Sequence, residues 1–91
     1  ITRVNFPKTL KFIGSHAFAS CTSLDLVVIP SSVTKIGEMA FANCTSLRHI
    51  VISPTLKEIC RGAFYNCPKL DTAIRRQLQD KYGAQIFQRK D

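Results

Sequence analysis

The amino-acid sequence predicts an α/β repeat fold, in which short coils of chain stack beside a parallel sheet and a C-terminal helix covers the last coil. Two observations lead to this prediction. Cys21, Cys44 and Cys67 are equally spaced along the chain, and their spacing is called the period below. From Asp71 onward the apolar residues change to the spacing of an amphipathic helix. Self-similarity at a fixed period of this length is typical of repeat proteins, whose units share one continuous core.

Apolar residues around each cysteine recur with the same period. The matching columns are Leu10, Val33 and Leu56; Ile13, Ile36 and Ile59; Ala17, Ala40 and Ala63; Phe18, Phe41 and Phe64; Leu24, Leu47 and Leu70; Val4, Val27, Ile50 and Ala73; and Phe6, Ile29 and Ile52. A unit of this size cannot bury its own apolar face, so stacked units must place these columns in one core. We expect the three phenylalanines to form an aromatic spine.

Each unit begins with a segment rich in valine and isoleucine, which predicts a short strand. These segments are residues 3–6, 26–29 and 48–52, and each is closed by a nearby proline. Gly14 and Gly37 lie at the next corner, where we expect the positive φ that glycine adopts readily. Cys60 replaces glycine in the third unit, so that corner must relax or be conformationally ordinary.

Residues 10–24 and 33–47 share the pattern Ile-Gly-x-x-Ala-Phe-x-x-Cys-x-x-Leu. This pattern resembles the BspA-type leucine-rich repeats, and residues 56–70 follow it apart from Cys60 and Pro68. The resemblance covers about residues 1–74. It implies a right-handed leucine-rich-repeat solenoid that binds other proteins, frequently in surface or secreted proteins of bacteria and protozoa. It implies no catalytic residues.

The periodicity divides the chain into a repeat region, a capping helix and a tail. The boundaries are residues 1–70 for the repeats (1–23, 24–46 and 47–69), 71–83 for the helix and 84–91 for the tail. The helical pattern rests on Ile74, Leu78 and Tyr82, at positions i, i+4 and i+8. Asp71 or Thr72 can cap its start, and Gly83 suits the position after its last turn.

The two ends of the repeat region differ. Arg75 falls in the column of Ile29 and Ile52, and a charge there cannot enter the core unpaired. The tail carries Ile86 and Phe87, and it docks back on the repeats or reaches a neighbour. At the other end no cap is recognisable, so we expect further repeats before Ile1. A partner or a second copy is the alternative cover, which allows self-association through this end.

The four cysteines suggest reduced thiols rather than two disulfides. Equivalent residues on neighbouring coils lie close enough to bridge, but their parallel side chains reach the required dihedral angle only with strain. We therefore expect Cys21, Cys44 and Cys67 to form a ladder of buried free thiols, with Cys60 outside it. The chain has no Cys-x-x-Cys and two histidines, which disfavours zinc, and we expect no cofactor.

No pattern in the sequence indicates catalysis. His16 and His49 lie off the repeat register, and neither has an evident carboxylate to orient it. Cys44 is a core-column residue, which disfavours a reactive thiolate. Phosphate-binding loops, paired carboxylates and the metalloprotease motif are absent from the sequence. We predict that this chain is not an enzyme, and no apolar run is long enough to span a membrane.

Thirteen lysines and arginines against six aspartates and glutamates give a net charge of +7. Five of the basic residues follow strands, on the corner or outer side of the coils: Lys8, Lys11, Lys35, Lys57 and Arg61. Aromatic residues do not alternate with them as they do in proteins that bind single-stranded nucleic acid. We expect no nucleic-acid partner; the basic surface is solvated or faces an acidic protein or an anionic membrane.

Strand alternation defines a candidate protein-binding face. If Val27 and Ile29 point inward, the residues between them point outward. The predicted outward residues are Arg3, Asn5, Leu26, Val28, His49 and Val51, followed by Thr72 and Ile74. We expect this mixed apolar and polar face to dock a protein partner, with Asp25 and Arg48 at its rim.

Two functions fit these observations. The first is a non-catalytic protein-interaction module, as the C-terminal part of a longer repeat protein or an accessory subunit. The second is an architectural spacer or end-cap with no binding site of its own. A designed consensus protein is a third, disfavoured by the irregular Cys60 and Pro68. The sequence leaves the compartment open, because the resemblance implies the cell surface or secretion while unpaired cysteines equally allow an intracellular location.

Overall fold

The computed structural model describes residues 3–89, and its first parallel sheet follows the period of the sequence. This sheet has three strands in the order β1 (Arg3–Val4), β3 (Leu26–Val28) and β5 (His49–Val51). The strands pair in parallel between residues one period apart, such as Val27 and Ile50. The predicted parallel sheet is therefore confirmed, and each turn of chain that adds one strand to it is here called a coil.

A second parallel sheet lies on the other side of each coil, and the sequence analysis did not predict it. Its strands are β2 (Phe12–Ile13), β4 (Lys35–Ile36) and β6 (Glu58–Ile59). In each strand the first residue is exposed and the isoleucine is buried. Two residues are too few to show the alternation by which a strand is recognised in a sequence.

The core lies within the coils and is fullest in coils two and three. Phe41 and Phe64 have no exposed surface, and their rings stack with centroids 5.5 Å apart at 3°. Phe18 stacks on Phe41 at 5.4 Å and 7°, while Phe6 meets Phe18 edge-on at 5.5 Å. Phe18, Phe41 and Phe64 form the predicted spine, and stacking of this kind adds to the stabilisation from burial.

Two residues assigned to core columns by the sequence are exposed instead. Ala17 lies in coil one, where Phe18 is also only half-buried. Within the described residues no coil packs on the outer side of coil one, so its column members have one uncovered side. Ala73 lies in the first turn of the helix that follows coil three, where the strand periodicity no longer decides which way a side chain faces.

Left-handed backbone recurs at two positions in every coil. Positive φ values, between 56° and 70°, occur at His16, Met39 and Gly62, and at Ser20, Asn43 and Asn66. Each set keeps the period of the repeat. Glycine and asparagine adopt this conformation readily, whereas histidine, methionine and serine do so at a cost that the surrounding packing must offset. Asn66 also donates its side-chain amide to the Asn43 Oδ1 atom at 2.9 Å.

The prediction of positive φ at Gly14 and Gly37 is wrong, because the positive-φ glycines are Gly62 and Gly83. Glycine is favoured at position 37 for a steric reason instead. A Cβ atom there would lie 2.7 Å from the backbone nitrogen of Ser15 in the preceding coil. The position therefore favours glycine for close backbone approach. Cys60, at the equivalent corner of coil three, is not among the residues with positive φ. The backbone at this corner is therefore conformationally ordinary, which was one of the two expectations for it.

Backbone hydrogen bonds join the Ala-Phe turns of neighbouring coils. Phe18 donates its N–H to the Ala40 oxygen at 2.8 Å, and Phe41 donates to the Ala63 oxygen at 2.7 Å. The left-handed residues that flank each turn bend the chain so that these N–H groups face the next coil. Stacked coils thereby satisfy backbone groups that would otherwise be buried without partners.

Helix α1 (Thr72–Tyr82) follows coil three, and this confirms the predicted C-terminal helix. Leu78 is buried, and Ile74 and Tyr82 pack against the core from its edge. The Tyr82 hydroxyl donates to the Leu56 oxygen at 2.7 Å. Asp71 occupies the N-cap position without a side-chain capping bond, and its backbone N–H instead donates to the Arg48 oxygen at 3.0 Å.

The tail docks onto coil three, which is one of the two outcomes expected for it. A 3₁₀ helix at Ala84–Phe87 places the Ile86 oxygen 2.9 Å from the Phe64 N–H, which donates to it. Gly62 donates to the Gln85 oxygen at the same distance. Ile86 is completely buried. The Phe64 bond repeats the contact that each earlier Ala-Phe turn makes with the next coil, whereas the Gly62 acceptor lies one residue later in the period than Arg61, which accepts from Met39.

The tail in fact resumes the repeat. Phe87 lies one period after Phe64, and the two ring centroids are 6.4 Å apart. The Arg75 guanidinium lies over the Phe87 ring at 4.5 Å and donates to the Cys67 oxygen at 2.9 Å. Arg75 is therefore half-buried and has two partners for its charge. This agrees with the expectation that a charge in the column of Ile29 and Ile52 cannot enter the core unpaired. Gly83, with φ of 96°, continues the column of Gly37 and Cys60.

We predict that Phe41→Ala lowers the free energy of unfolding by about 3–5 kcal/mol, because it opens a cavity in the centre of the spine. Urea unfolding followed by circular dichroism measures this loss. Phe12→Ala is the matched control: Phe12 is 63% exposed, and the same substitution there should change stability by about 0.5 kcal/mol or less. Equal losses in both variants would contradict the assignment of the core.

We predict that Ile86→Ala lowers the free energy of unfolding by about 2–5 kcal/mol, because Ile86 fills the end of the core. Hydrogen exchange should also show faster exchange of the Phe64 amide while the Phe41 amide stays protected, since only Phe64 donates to the tail. Gln79→Ala, an exposed change on α1, is the control and should leave both amides unaffected. Unchanged stability in Ile86→Ala would show that the tail does not cap coil three.

Candidate functional site

The outer side of the first sheet carries exposed apolar side chains. Val27 and Ile50 point into the core, while Val28 and Val51 are 42% and 52% exposed. Val28 and Val51 are register partners on neighbouring strands, so they form one continuous apolar patch. Alternation of side chains along a half-buried strand places them there. His49 is exposed on the same side of β5.

The other residues predicted for this face lie in three different settings. Leu26 pairs in register with His49 and is half-buried, and Asn5 is exposed in coil one. The side chain of Arg3 lies outside the described part of the chain, although its backbone pairs with Leu26. Thr72 and Ile74 belong to α1 rather than to a fourth strand, so their predicted place on the sheet face is wrong.

Charged side chains lie at the start of the strands, at the rim of the apolar patch. Arg48 Nε lies 3.8 Å from Asp25 Oδ1, with both side chains more than half exposed. An exposed pair at this distance contributes little to stability, about 0–1 kcal/mol. The Asp25 backbone oxygen also accepts N–H groups from Arg48 and His49. The pair is therefore positioned by the ladder between β3 and β5, and the exposed Arg48 side chain is available to a partner.

A cleft of about 390 Å³ separates β5 from α1 and opens beside Val51. Its lining residues come from the end of β5, the following turn and one side of the helix: Ile50, Val51, Ile52, Ser53, Pro54, Ile74, Gln77, Leu78, Lys81 and Tyr82. The cleft extends the apolar patch toward the helix. Sequence reasoning missed it, because neither the β5 pattern nor the α1 pattern shows how the two elements are placed.

The buried cysteines act as hydrogen-bond donors between coils. Cys44 Sγ donates to the Phe18 oxygen and Cys67 Sγ to the Phe41 oxygen, each at 3.2 Å. Burial raises the pKa of Cys44 to about 11 and that of Cys67 to about 12. Both thiols therefore stay protonated at neutral pH, which makes them poor nucleophiles.

Of the remaining two cysteines, Cys21 departs from the predicted buried ladder, whereas Cys60 was expected to lie outside it. All four cysteines are free, but Cys21 is half-buried rather than buried, because it lies in coil one. Cys60 is also half-buried, and its thiol lies 3.7 Å from a Glu58 carboxylate oxygen. Burial and then the Glu58 charge raise the pKa of Cys60 above its ordinary value. At Cys60 these two effects outweigh the opposing charge of Lys35, so the thiolate is not favoured there.

His16 and His49 lie on opposite parts of the coils. His16 is an exposed left-handed residue of the Ala-Phe turn, and His49 is exposed on β5. Residues 3–89 contain no group of three or more histidine, cysteine or acidic side chains arranged to hold a metal ion. In the same residues, no helix is both long and apolar enough to cross a membrane.

Most of the predicted basic residues lie away from the apolar patch, but Lys8 lines a cleft together with Val28. Lys35 is on β4, beside the 63% exposed Phe12 of β2, and Lys11 and Lys57 flank the same sheet. Arg61 is exposed and donates to the Gln88 side chain at 2.9 Å. The second sheet thus carries positive charge on its outer side, whereas the first sheet carries the exposed valines.

Comparison with known proteins gives a consistent result over the whole chain. A family model described as a BspA type leucine rich repeat region (6 copies) matches residues 1–91. Among curated proteins no match was found. The match includes the residues of α1 and the tail, in agreement with the return of the repeat at Phe87.

Solved structures of two bacterial proteins are similar to this chain. A leucine-rich repeat protein of T. pallidum is 36% identical, with a TM-score of 0.72 over 76% of this chain and 35% of that protein. A leucine rich cell surface protein of Faecalibacterium prausnitzii A2-165 is 33% identical, with a TM-score of 0.69 over 77% of this chain. The present chain covers 22% of the latter protein, so it spans a minor part of both.

We predict that stability falls as the pH rises above about 9, the ordinary thiol pKa. Unfolded chains release the Cys44 and Cys67 protons there, while the folded protein keeps them until pH 11 to 12. Each thiol adds a slope of at most about 1.4 kcal/mol per pH unit. Urea unfolding of wild type and of a Cys44→Ala, Cys67→Ala variant measures the difference. An identical pH dependence in both proteins would contradict the raised pKa values.

Proposed function

This chain belongs to the BspA-type leucine-rich repeat family, and on that premise we propose that it is a non-catalytic protein-interaction module. Its binding surface is the outer face of the first sheet, formed by Leu26, Val28, His49 and Val51, with Asn5 and Arg3 at the coil-one side. The partner is a protein. The family membership supports a repeat-based interaction role, and the geometry of this face supports the choice of surface.

The exposure of Val28 and Val51 in adjacent register carries the proposal. An apolar pair on a sheet face remains in contact with water unless a partner covers it, and burial releases about 25 cal/mol for each Å² of apolar surface. Polar groups at the rim, His49 and the Asp25–Arg48 pair, add orientation and selectivity rather than affinity. An apolar centre with a polar rim is typical of protein interfaces.

The chemistry of the remaining side chains supports a non-catalytic role. Cys44 and Cys67 are held protonated by burial, so they lack the thiolate that nucleophilic catalysis requires. His16 and His49 lie on different parts of the coil. The cleft beside His49 is lined by Arg48, Lys69 and Asp71, which include no nucleophile for an acid–base triad.

An architectural end-cap is the second candidate function, and the tail favours it. Gly62 and Phe64 donate to Gln85 and Ile86, so coil three is covered by the tail of the same chain. Such self-contained stacking suits an architectural segment of a repeat array. The two functions differ in the first sheet, because an end-cap has no use for the exposed valines on that face.

Capture from a cell extract of the protein's own source tests the proposal. Immobilised wild type is compared with a Leu26→Ser, Val28→Ser variant, and we expect proteins retained by wild type to be reduced at least about tenfold on the variant. A Lys11→Ser, Lys57→Ser variant, altered on the second sheet, is the matched control and should retain them. Circular dichroism establishes that each variant is folded.

The outcomes separate the two candidate functions. Loss of the same retained protein from the sheet-face variant alone supports the interaction module. Equal retention by all three proteins, or nothing retained specifically by wild type, contradicts it and leaves the end-cap. Loss from the lysine variant alone would move the binding surface to the basic second sheet.

A further inference from the structure

We propose that the cleft between β5 and α1 binds an extended segment of a partner protein, which adds to the free edge of β5. The segment presents an apolar side chain to the cleft and an acidic residue to Lys81. This inference rests on the proposed function, because it names the kind of partner that the apolar patch takes. It adds backbone pairing to a site that otherwise offers side chains alone.

The edge of β5 is left free where the fourth strand would lie. In coil two, Val27 faces β5, and Ile29 donates its N–H to the Val51 oxygen at 2.7 Å. The residues one coil later are Ile50 and Ile52, whose N–H and C=O groups point away from β3 by the same register. In a parallel ladder the backbone groups of alternate residues point to the same neighbouring strand. The backbone N–H and C=O groups of Ile50 and Ile52 therefore both point toward the cleft.

The chain makes the first hydrogen bond of a fourth strand and then forms a helix instead. Asp71 donates its N–H to the Arg48 oxygen at 3.0 Å, as Arg48 donates to the Asp25 oxygen one coil earlier. Helix α1 begins at the next residue. In the described residues the ladder along β5 therefore stops after Asp71, and the next position is occupied by the cleft. Exposed strand edges pair readily with added strands.

The size of the cleft suits a short segment. From Ile50 to Ile52, the extended residues that line the cleft, a strand advances about 7 Å at roughly 3.3 Å per residue, which matches two or three paired residues of a partner segment. The walls are apolar, with Val51 and Ile52 on one side and Ile74 and Leu78 on the other. One apolar side chain of the segment would lie between them.

Charge complementarity assigns the polar end of the segment. Lys81 is the single charged residue among those that line the cleft. Its ammonium lies 3.3 Å from the Pro54 oxygen, which accepts a hydrogen bond from it, and 5.4 Å from the centre of the Tyr82 ring. Lys81 stays exposed, so it can also bind a carboxylate. No carboxylate lines this cleft in competition.

Synthetic peptides test the inference on the whole chain. The probe is fluorescein-labelled acetyl-Asp-Val-Ile-Val-Glu-amide, compared with acetyl-Lys-Val-Ile-Val-Lys-amide and with the acidic peptide methylated at alternate backbone nitrogens. Fluorescence anisotropy measures binding. We expect the acidic peptide to bind at least about tenfold more tightly than the basic one. Backbone methylation on the face toward β5 should weaken it at least about tenfold, because it removes the ladder donors.

Protein variants locate the bound peptide. Lys81→Glu should reverse the preference between acidic and basic peptides, whereas Lys57→Glu, the same charge change on the far sheet, should leave the preference as in wild type. In ¹⁵N-labelled protein, the acidic peptide should shift the amide signals of Ile50 and Ile52 and slow exchange of the Ile52 N–H. Shifts confined to other surfaces would overturn the inference.

Other results would also overturn the inference or separate it from the proposed function. Failure of the acidic peptide to bind at about 1 mM, equal binding of all three peptides, or equal effects of Lys81→Glu and Lys57→Glu would overturn strand addition. If one of these results is found while capture still depends on Leu26 and Val28, which do not line the cleft, the proposed function stands and this inference alone fails. Peptide binding with capture that ignores Leu26 and Val28 would instead keep the cleft and reject the sheet face.

Discussion

The backbone hydrogen bonds between successive Ala-Phe turns are the constraint on which the rest of the structure depends. Phe18, Phe41 and Phe64 each donate an N–H to the following coil, and this fixes the spacing at which their rings stack. The left-handed residues on both sides of each turn aim those N–H groups. With the turns in register, the two short sheets pair at the same interval and the core columns meet without further adjustment.

The same constraint explains the placement of the tail and the exposure of the proposed binding surface. Coil three needs acceptors for Gly62 and Phe64, and the tail supplies them from Gln85 and Ile86. Helix α1 connects coil three to the tail, so it replaces the fourth strand rather than adding to the first sheet. As a consequence, the edge of β5 stays open beside the exposed Val51, and the apolar patch continues into the cleft.

Much of the fold was predictable because apolar columns such as that of Val27 and Ile50 carry the period directly. The left-handed positions were not, since His16, Met39 and Gly62 share a backbone conformation but no side-chain chemistry. Phe87 did keep the period, yet the intervening helix and the larger Ile86 in an alanine column hid it. For the candidate face, alternation identified Val28 and Val51, whereas the cleft depends on the placement of α1, which no local pattern contains.

The most direct test of the central claim is measurement of scalar couplings across hydrogen bonds by NMR. One bonding pattern should connect every coil to the next, so the amide nitrogens of Phe18, Phe41 and Phe64 should couple to the carbonyl carbons of Ala40, Ala63 and Ile86. Detection of all three couplings would show that the tail continues the bonding pattern of the repeat. Absence of the Phe64 to Ile86 coupling, with the other two present, would contradict the account.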